Sequence, residues 1–146
     1  GQGSRESLLE RFRTERDSVL LATGSFWEGV DVQGDALSLL VIDKLPFTPP
    51  DEPLTSARID ALRREGKNAF MDYQVPMAII SLKQGFGRLI RHRHDRGIVA
   101  VCDPRLKTKP YGKRFLRSLP PAQVVDELAS LEALWRERQE KMVQQT

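Results

Sequence analysis

Residues 37–42 read Leu37-Ser38-Leu39-Leu40-Val41-Ile42, and residues 97–102 read Gly97-Ile98-Val99-Ala100-Val101-Cys102. Both runs are apolar without alternation, and both are too short for helices. Such runs mark strands buried on both faces, the signature of a parallel sheet covered by helices. A third run, Val19-Leu20-Leu21-Ala22, is bounded by charge and by Gly24 and predicts another strand of the same kind. The fold class is therefore α/β, with helices in front of, between and after the strands.

Working outward, residues 5–16 predict a short charged helix with Leu8, Leu9 and Phe12 on one face. Pro46, Pro49, Pro50 and Pro53 stiffen the loop after the second strand. A helix over 54–65 follows and stops near Gly66. Another begins at Asp72 or Pro76 and runs to Arg91. His92 to Arg96 form a charged turn into the third strand. Pro104 closes that strand, and a short helix spans 111–119. After Pro120-Pro121 a last helix is predicted over 122–142, with Val124, Leu128, Leu131 and Trp135 as a stripe that packs on the body or on a neighbouring chain. Three strands make a thin sheet for a three-layer domain. The expectation is a domain truncated at its N-terminus, against the plainer reading of a small complete α/β domain.

The chain has 146 residues, 40% hydrophobic and 29% charged, with a formal net charge of +3. That is enough for one domain of ordinary composition. No run reaches the 18 apolar residues of a membrane span. Gly1 to Ser4 read as a cloning scar and not as a targeting segment. The single cysteine, Cys102, excludes an internal disulfide and any cysteine-only metal site, and its position predicts a small core side chain.

The chemistry concentrates in Gln84-Gly85-Phe86-Gly87-Arg88-Leu89-Ile90-Arg91. Gln84, Arg88 and Arg91 fall on one face of a helix, with Gly87 beside them where an absent side chain leaves room. Two guanidiniums and an amide form a phosphate clamp. A solvated basic helix face is the plainer alternative. No Gly-rich loop ending in Gly-Lys-Ser/Thr accompanies the clamp, so nothing in the chain cradles a whole nucleotide.

The second element is Thr23-Gly24-Ser25-Phe26-Trp27-Glu28-Gly29-Val30-Asp31-Val32-Gln33-Gly34, directly after the predicted first strand. Ligands of open α/β sheets bind beyond the carboxyl ends of strands. Asp31 suits a ribose hydroxyl, a water or an arginine, Glu28 can hold an arginine, and Thr23 and Ser25 can donate to a nucleic-acid phosphate. An ordinary capped turn is the competing reading. Phe26 and Trp27 either stack on a base or bury against the sheet. His92 and His94 lack a third ligand and do not make a metal site. Lys107, Lys109, Lys113, Arg114 and Arg117 form a second basic patch, open to nucleic acid, protein or solvent.

These motifs resemble the C-terminal motor domain of superfamily-2 DNA helicases of the DinG/XPD type, most of all the bacterial YoaA/DinG-like branch. Gly24 to Gly34 is similar to the family's motif V, and Gln84 to Arg91 to its motif VI. Val41-Ile42-Asp43-Lys44-Leu45-Pro46-Phe47, Asp103-Pro104-Arg105 and Tyr111-Gly112-Lys113-Arg114-Phe115 are also typical of the branch. The resemblance implies a partial RecA-like domain over 5–121, three-layered around a mostly parallel sheet, followed by an amphipathic helix and polar tail over 122–146.

It further implies that ATP and Mg2+ are bound mainly by a first motor domain of the same polypeptide. Gln84 and Arg88 would face the γ-phosphate, and Arg91 would be the arginine finger. Gly87, Glu28, Gly29 and Asp31 would lie at the nucleotide, with Glu28 and Asp31 coupling it to DNA. Thr23, Gly24 and Ser25 would touch the DNA backbone. Single-stranded and forked DNA are the implied substrates and the bacterial cytoplasm the implied location, with no membrane. A four-cysteine iron–sulfur cluster occurs in many members within the first domain, and one cysteine cannot hold it here. The chi subunit of the clamp loader is an implied partner, through the last helix or the patch near Arg114. A noncatalytic docking module is the alternative function. An RNA-helicase or signalling relative fits less well, because of Glu28-Gly29-Val30-Asp31 and Leu45-Pro46-Phe47.

Overall fold

A computed structural model describes residues 3–15, 17–23, 37–89 and 97–143. Among them the domain is mostly helical around a two-stranded parallel sheet. The order is α1 (Arg5–Thr14), β1 (Leu39–Ile42), α2 (Pro53–Arg64), a π-helical turn (Phe70–Gln74), α3 (Val75–Leu89), β2 (Ile98–Val101), α4 (Arg105–Thr108), α5 (Gly112–Ser118) and α6 (Leu128–Val143).

β1 and β2 pair in register, Leu39 with Ile98 through Ile42 with Val101. Ile98 N–H donates to the Ser38 carbonyl at 2.9 Å and Cys102 N–H to the Ile42 carbonyl at 2.8 Å, extending the ladder at both ends. Side chains alternate across a strand. Leu40, Ile42, Val99 and Val101 therefore share one face, and α3 packs on it. Ile42, Leu45, Val75, Ala78, Leu82, Phe86 and Phe115 are the buried centre of this core. The α3 members recur at spacings of three and four, which gathers them on one stripe of the helix.

The other sheet face is open: Leu39 is 50% and Val41 58% exposed. This differs from the three-layer arrangement expected from the sequence. The predicted strand over 19–22 is also absent. Residues 18–23 are irregular, with Val19 and Leu21 exposed, and Leu20 joins Phe12 and Leu37 around Leu9 of α1. Apolar character reports a demand for burial, but a strand also needs a neighbour's backbone to pair with. Among the described residues β1 and β2 pair only with each other. Cys102 likewise is exposed and not a core residue. It alternates with Val101 and so falls on the open side.

Helix boundaries follow local chemistry. Ser4 caps α1 by accepting from Ser7 N–H at 3.2 Å. Glu52 caps α2 by accepting from Thr55 N–H at 2.7 Å, with Pro53 in the first turn where its lost donor costs nothing. Asn68 and Asp72 cap the π-turn reciprocally, since Asn68 Oδ1 accepts from Met71 N–H and Asp72 Oδ2 from Asn68 N–H, both at 3.1 Å. Pro76 explains the wide turn. It has no N–H for the Asp72 carbonyl and its ring would crowd that carbonyl, so the chain expands and Val75 N–H reaches back to Phe70. The last helix starts at Leu128, not at residue 122. Two prolines and the β-branched pair Val124-Val125 leave 122–127 irregular, and Lys107 Nζ meets Asp126 Oδ1 there at 2.6 Å. The predicted stripe is thus broken: Val124 and Leu128 are both 71% exposed, while Leu131 and Trp135 are half-buried.

The carboxyl ends of both strands are tied by one side chain. Asp103, only 5% exposed, accepts from Leu45 N–H at 2.8 Å through Oδ2. Its Oδ1 accepts from Arg105 N–H at 2.9 Å, starting α4. The Arg105 guanidinium closes on both oxygens, with Nη2 at 2.6 Å from Oδ2. These bonds all favour the charged carboxylate, with Arg105 the largest influence, and hold the Asp103 acid well below its usual range against the opposing effect of burial. The same contact raises the Arg105 guanidinium further above its ordinary value.

Two predictions follow from this packing. Asp103→Asn should lower unfolding free energy by about 2–3 kcal/mol in urea titrations, because a charge-assisted network is replaced by neutral bonds and Arg105 loses its counter-ion. Because folding lowers the Asp103 pKa below its unfolded value, this contribution is complete above about pH 5 and is lost progressively as pH falls below about 4 towards the folded-state value. Wild-type stability should therefore drop on acidification with a steeper slope than that of the variant. Gly112 is buried between α4 and α5, and a Cβ there would collide with the Leu106 carbonyl. Gly112→Ala should cost about 1–3 kcal/mol or more, read as a lower thermal midpoint.

Candidate nucleotide-facing surface

α3 has two faces set by one sequence period. Val75, Ala78, Leu82 and Phe86 point to the core. Met77, Ile80, Gln84 and Gly87 lie on the other side at spacings of three and four, and all are exposed. Arg88 flanks them, half-buried, one turn after Gln84. The structure thus brings three of the predicted residues, Gln84, Gly87 and Arg88, to one outward surface near the C-terminal end of the helix. A Cβ built on Gly87 would meet nothing within 4 Å, so no contact within the described fold requires glycine there. The surface also carries Met77 at 44% and Ile80 at 49% exposure, an apolar component that the sequence reading did not assign.

The other predicted positions divide in two. Thr23 is described and exposed, in irregular chain. Gly24, Ser25, Glu28, Gly29, Asp31 and Arg91 lie outside the described residues, as do Phe26, Trp27, His92 and His94. Among the described residues no group of three or more His, Cys, Asp or Glu side chains is placed to hold a metal ion. No described helix is long and apolar enough to cross a membrane. What the surface offers is an amide and a guanidinium beside a bare glycine, and their side-chain N–H groups can donate to phosphate oxygens.

Sequence reasoning missed a second surface. Leu45-Pro46-Phe47 forms a tight turn in which Phe47 N–H donates to the Leu45 carbonyl at 2.8 Å, a three-residue turn suited to the fixed φ of proline. The turn delivers the Phe47 ring into a cluster with Phe70, Tyr111 and Phe115. Phe47 stacks on Phe70 at 5.7 Å between centroids, and Tyr111 meets Phe70 edge-on at 5.2 Å. The Arg105 guanidinium, fixed by Asp103, lies 5.3 Å from the Phe47 centroid. The available signal was the pair Leu45-Pro46-Phe47 and Asp103-Pro104-Arg105, each a strand end followed by proline and a side chain able to stack. Their spatial meeting depends on the parallel register.

Comparison with known proteins supplies the family. The profile described as "Helicase C-terminal domain" matches residues 1–122. The ATP-dependent DNA helicase YoaA of Haemophilus influenzae is 61% identical over 120 residues, covering 82% of this chain and 19% of that protein. The protein of the same name from Escherichia coli is 53% identical over 129 residues, covering 88% of this chain and 20% of the relative. A Bacillus subtilis protein named 3'-5' exonuclease DinG is 43% identical over 122 residues, covering 84% of this chain and 13% of the relative. The chain therefore spans a fifth or less of the length of these relatives. It belongs to the helicase C-terminal domain family, closely related to the bacterial DinG- and YoaA-type superfamily-2 DNA helicases.

Proposed function

We propose that this chain is the second, RecA-like motor domain of an ATP-dependent DNA helicase, acting on nucleotide held between it and another domain of a longer polypeptide. The observation that carries the reading is the outward face of α3, where Gln84, Gly87 and Arg88 stand together on the side opposite the core. A phosphate clamp that served only this domain would be turned inward or matched by a cradle. This one faces out, beside exposed Met77 and Ile80, as an interdomain surface requires.

In this reading Arg88 and Gln84 contact γ-phosphate oxygens, and Arg91 acts as the arginine finger. Phosphoryl transfer accumulates charge on the γ-phosphoryl oxygens, and guanidiniums placed before that charge develops lower the barrier. Mg2+ would be held mainly by the other domain and would screen the phosphates from there. Gln84 would orient the attacking water. Residues 24–31 would link the nucleotide to DNA through Glu28 and Asp31. Single-stranded and forked DNA in the bacterial cytoplasm are the proposed substrates; the names of the relatives support DNA as the nucleic acid. A docking role for the C-terminal segment, with a clamp-loader subunit such as chi as partner, is a second reading favoured by the exposure of Val124 and Leu128. Binding of chi to the chain with and without residues 122–146 decides it.

Two outcomes are expected of the motor reading. In the longer protein, Arg91→Ala and Arg88→Ala should each lower DNA-stimulated phosphate release by about 10³-fold or more, while a fluorescent ATP analogue still binds. The isolated chain should show no magnesium-dependent turnover. Unchanged turnover in the Arg91 variant would sink the finger assignment. Gly87→Ala should leave this chain's stability unchanged or raise it by up to about 1 kcal/mol, because a helical glycine is replaced without a clash. The same substitution should slow hydrolysis in the longer protein, where the added methyl meets the facing domain. A stabilised chain with undiminished hydrolysis would show that nothing closes on this face.

A further inference from the structure

We propose that Phe70, backed by Phe47 and Tyr111, with the exposed Lys109 and Lys113 two residues on either side of Tyr111 in the chain, is a base-stacking platform for a single nucleic-acid strand, separate from the α3 surface and from residues 23–31. The inference deepens the motor reading and rests on it only for DNA as the nucleic acid concerned.

Three observations meet here. The first is the ring column. Arg105 is locked by Asp103 and lies against Phe47, and Phe47 stacks on Phe70 with an interplanar angle of 17°. Phe70 is the outermost ring and keeps 37% of its surface exposed. A ring already stacked on one side and held edge-on by Tyr111 has lost its rotational freedom before any ligand arrives. A base added to its open side therefore orders little further protein. The π-helical turn that begins at Phe70 presents the ring, and that turn is imposed by Pro76.

Charge supplies the second observation. From Pro104 to Val125 there is no Asp or Glu, while Arg105, Lys107, Lys109, Lys113, Arg114 and Arg117 all fall in this stretch. Arg105 and Lys107 are paired with Asp103 and Asp126. Lys109, Lys113, Arg114 and Arg117 have no carboxylate within ion-pair distance among the described residues. Aromatic faces amid unneutralised cations match a polyanion with π-faces, where phosphates take the cations and bases take the rings.

The third is placement. Lys109 and Lys113 stand two residues on either side of Tyr111, whose ring touches Phe70. Both cations are exposed, and they stand on either side, along the chain, of the residue whose ring holds Phe70. An acidic protein surface would use the cations but would leave the exposed ring without a role.

The test is fluorescence anisotropy of a labelled oligo-dT strand with the whole chain, without ATP, beside an abasic strand of equal length. Phe70→Ala should weaken oligo-dT binding about tenfold and leave the abasic strand unchanged, and Phe70→Trp should restore binding. Phe70→Leu, which keeps apolar bulk, should lose affinity as Phe70→Ala does, so that a folding defect in the alanine variant does not leave the question open. Lys109→Gln with Lys113→Gln should lower both strands' affinity and reduce the salt slope by about 1–2. Unaltered oligo-dT binding in the Leu variant, or equal losses on both strands, overturns the platform. ATP hydrolysis that still depends on Arg91 in the longer protein would show in that case that the motor reading survives.

Discussion

The carboxylate of Asp103 is the point on which the described fold turns. It receives the backbone of the β1 loop at Leu45, begins α4 through Arg105 N–H, and grips the Arg105 side chain. Leu45 and Asp103 are far apart in sequence, joined only because β1 and β2 run parallel in register. A two-stranded sheet has little intrinsic stability. Here the strand ends are held by charge-assisted bonds on a side chain almost removed from water, where each bond is stronger than it would be at the surface. Arg105, once held, becomes the base of the aromatic column, so the same carboxylate organises Phe47 and, through it, Phe70.

α3 is the second organising element, and its two faces do different work. The inner stripe of Val75, Ala78, Leu82 and Phe86 secures the sheet. That burial is the main stabilising term available to so small a core, at about 1.5–3 kcal/mol for each large side chain. The rigid docking of this stripe fixes where the outer stripe lies. Gln84, Gly87 and Arg88 are carried into place by a helix that is held from behind. The exposed Met77 and Ile80 on the same side, and the open face of β1 at Leu39 and Val41, show a domain whose apolar surface is not fully consumed by its described residues.

Much was legible in the residues. The two strand segments, their parallel sense, the proline-rich loop, α2, α3 and α5 all follow from runs, spacings and breakers that act locally. The shared face of Gln84, Gly87 and Arg88 was legible because a helix period of 3.6 converts these positions into neighbours whatever the rest of the chain does. Where the reading diverged, the cause was nonlocal. Val19 to Ala22 has strand composition but no backbone partner among the described residues. Cys102 sits on the uncovered side of the sheet. The last helix begins late because local β-branched and proline residues outweigh the apolar spacing that suggested an earlier start. The Asp103 network and the aromatic column were invisible as contacts, although Asp103, Arg105, Phe47 and Tyr111 were all conspicuous as residues.

The sequence by itself determined the family, through long ordered motifs. It also determined most of the helices and both paired strands, since those depend on neighbours within a few residues. Only the tertiary structure decided which face of α3 looks outward, that one side of the sheet stays open, and that Asp103, Leu45 and Arg105 converge. Those outcomes rest on strand register and helix docking, and both are energies of contact between segments distant in the chain.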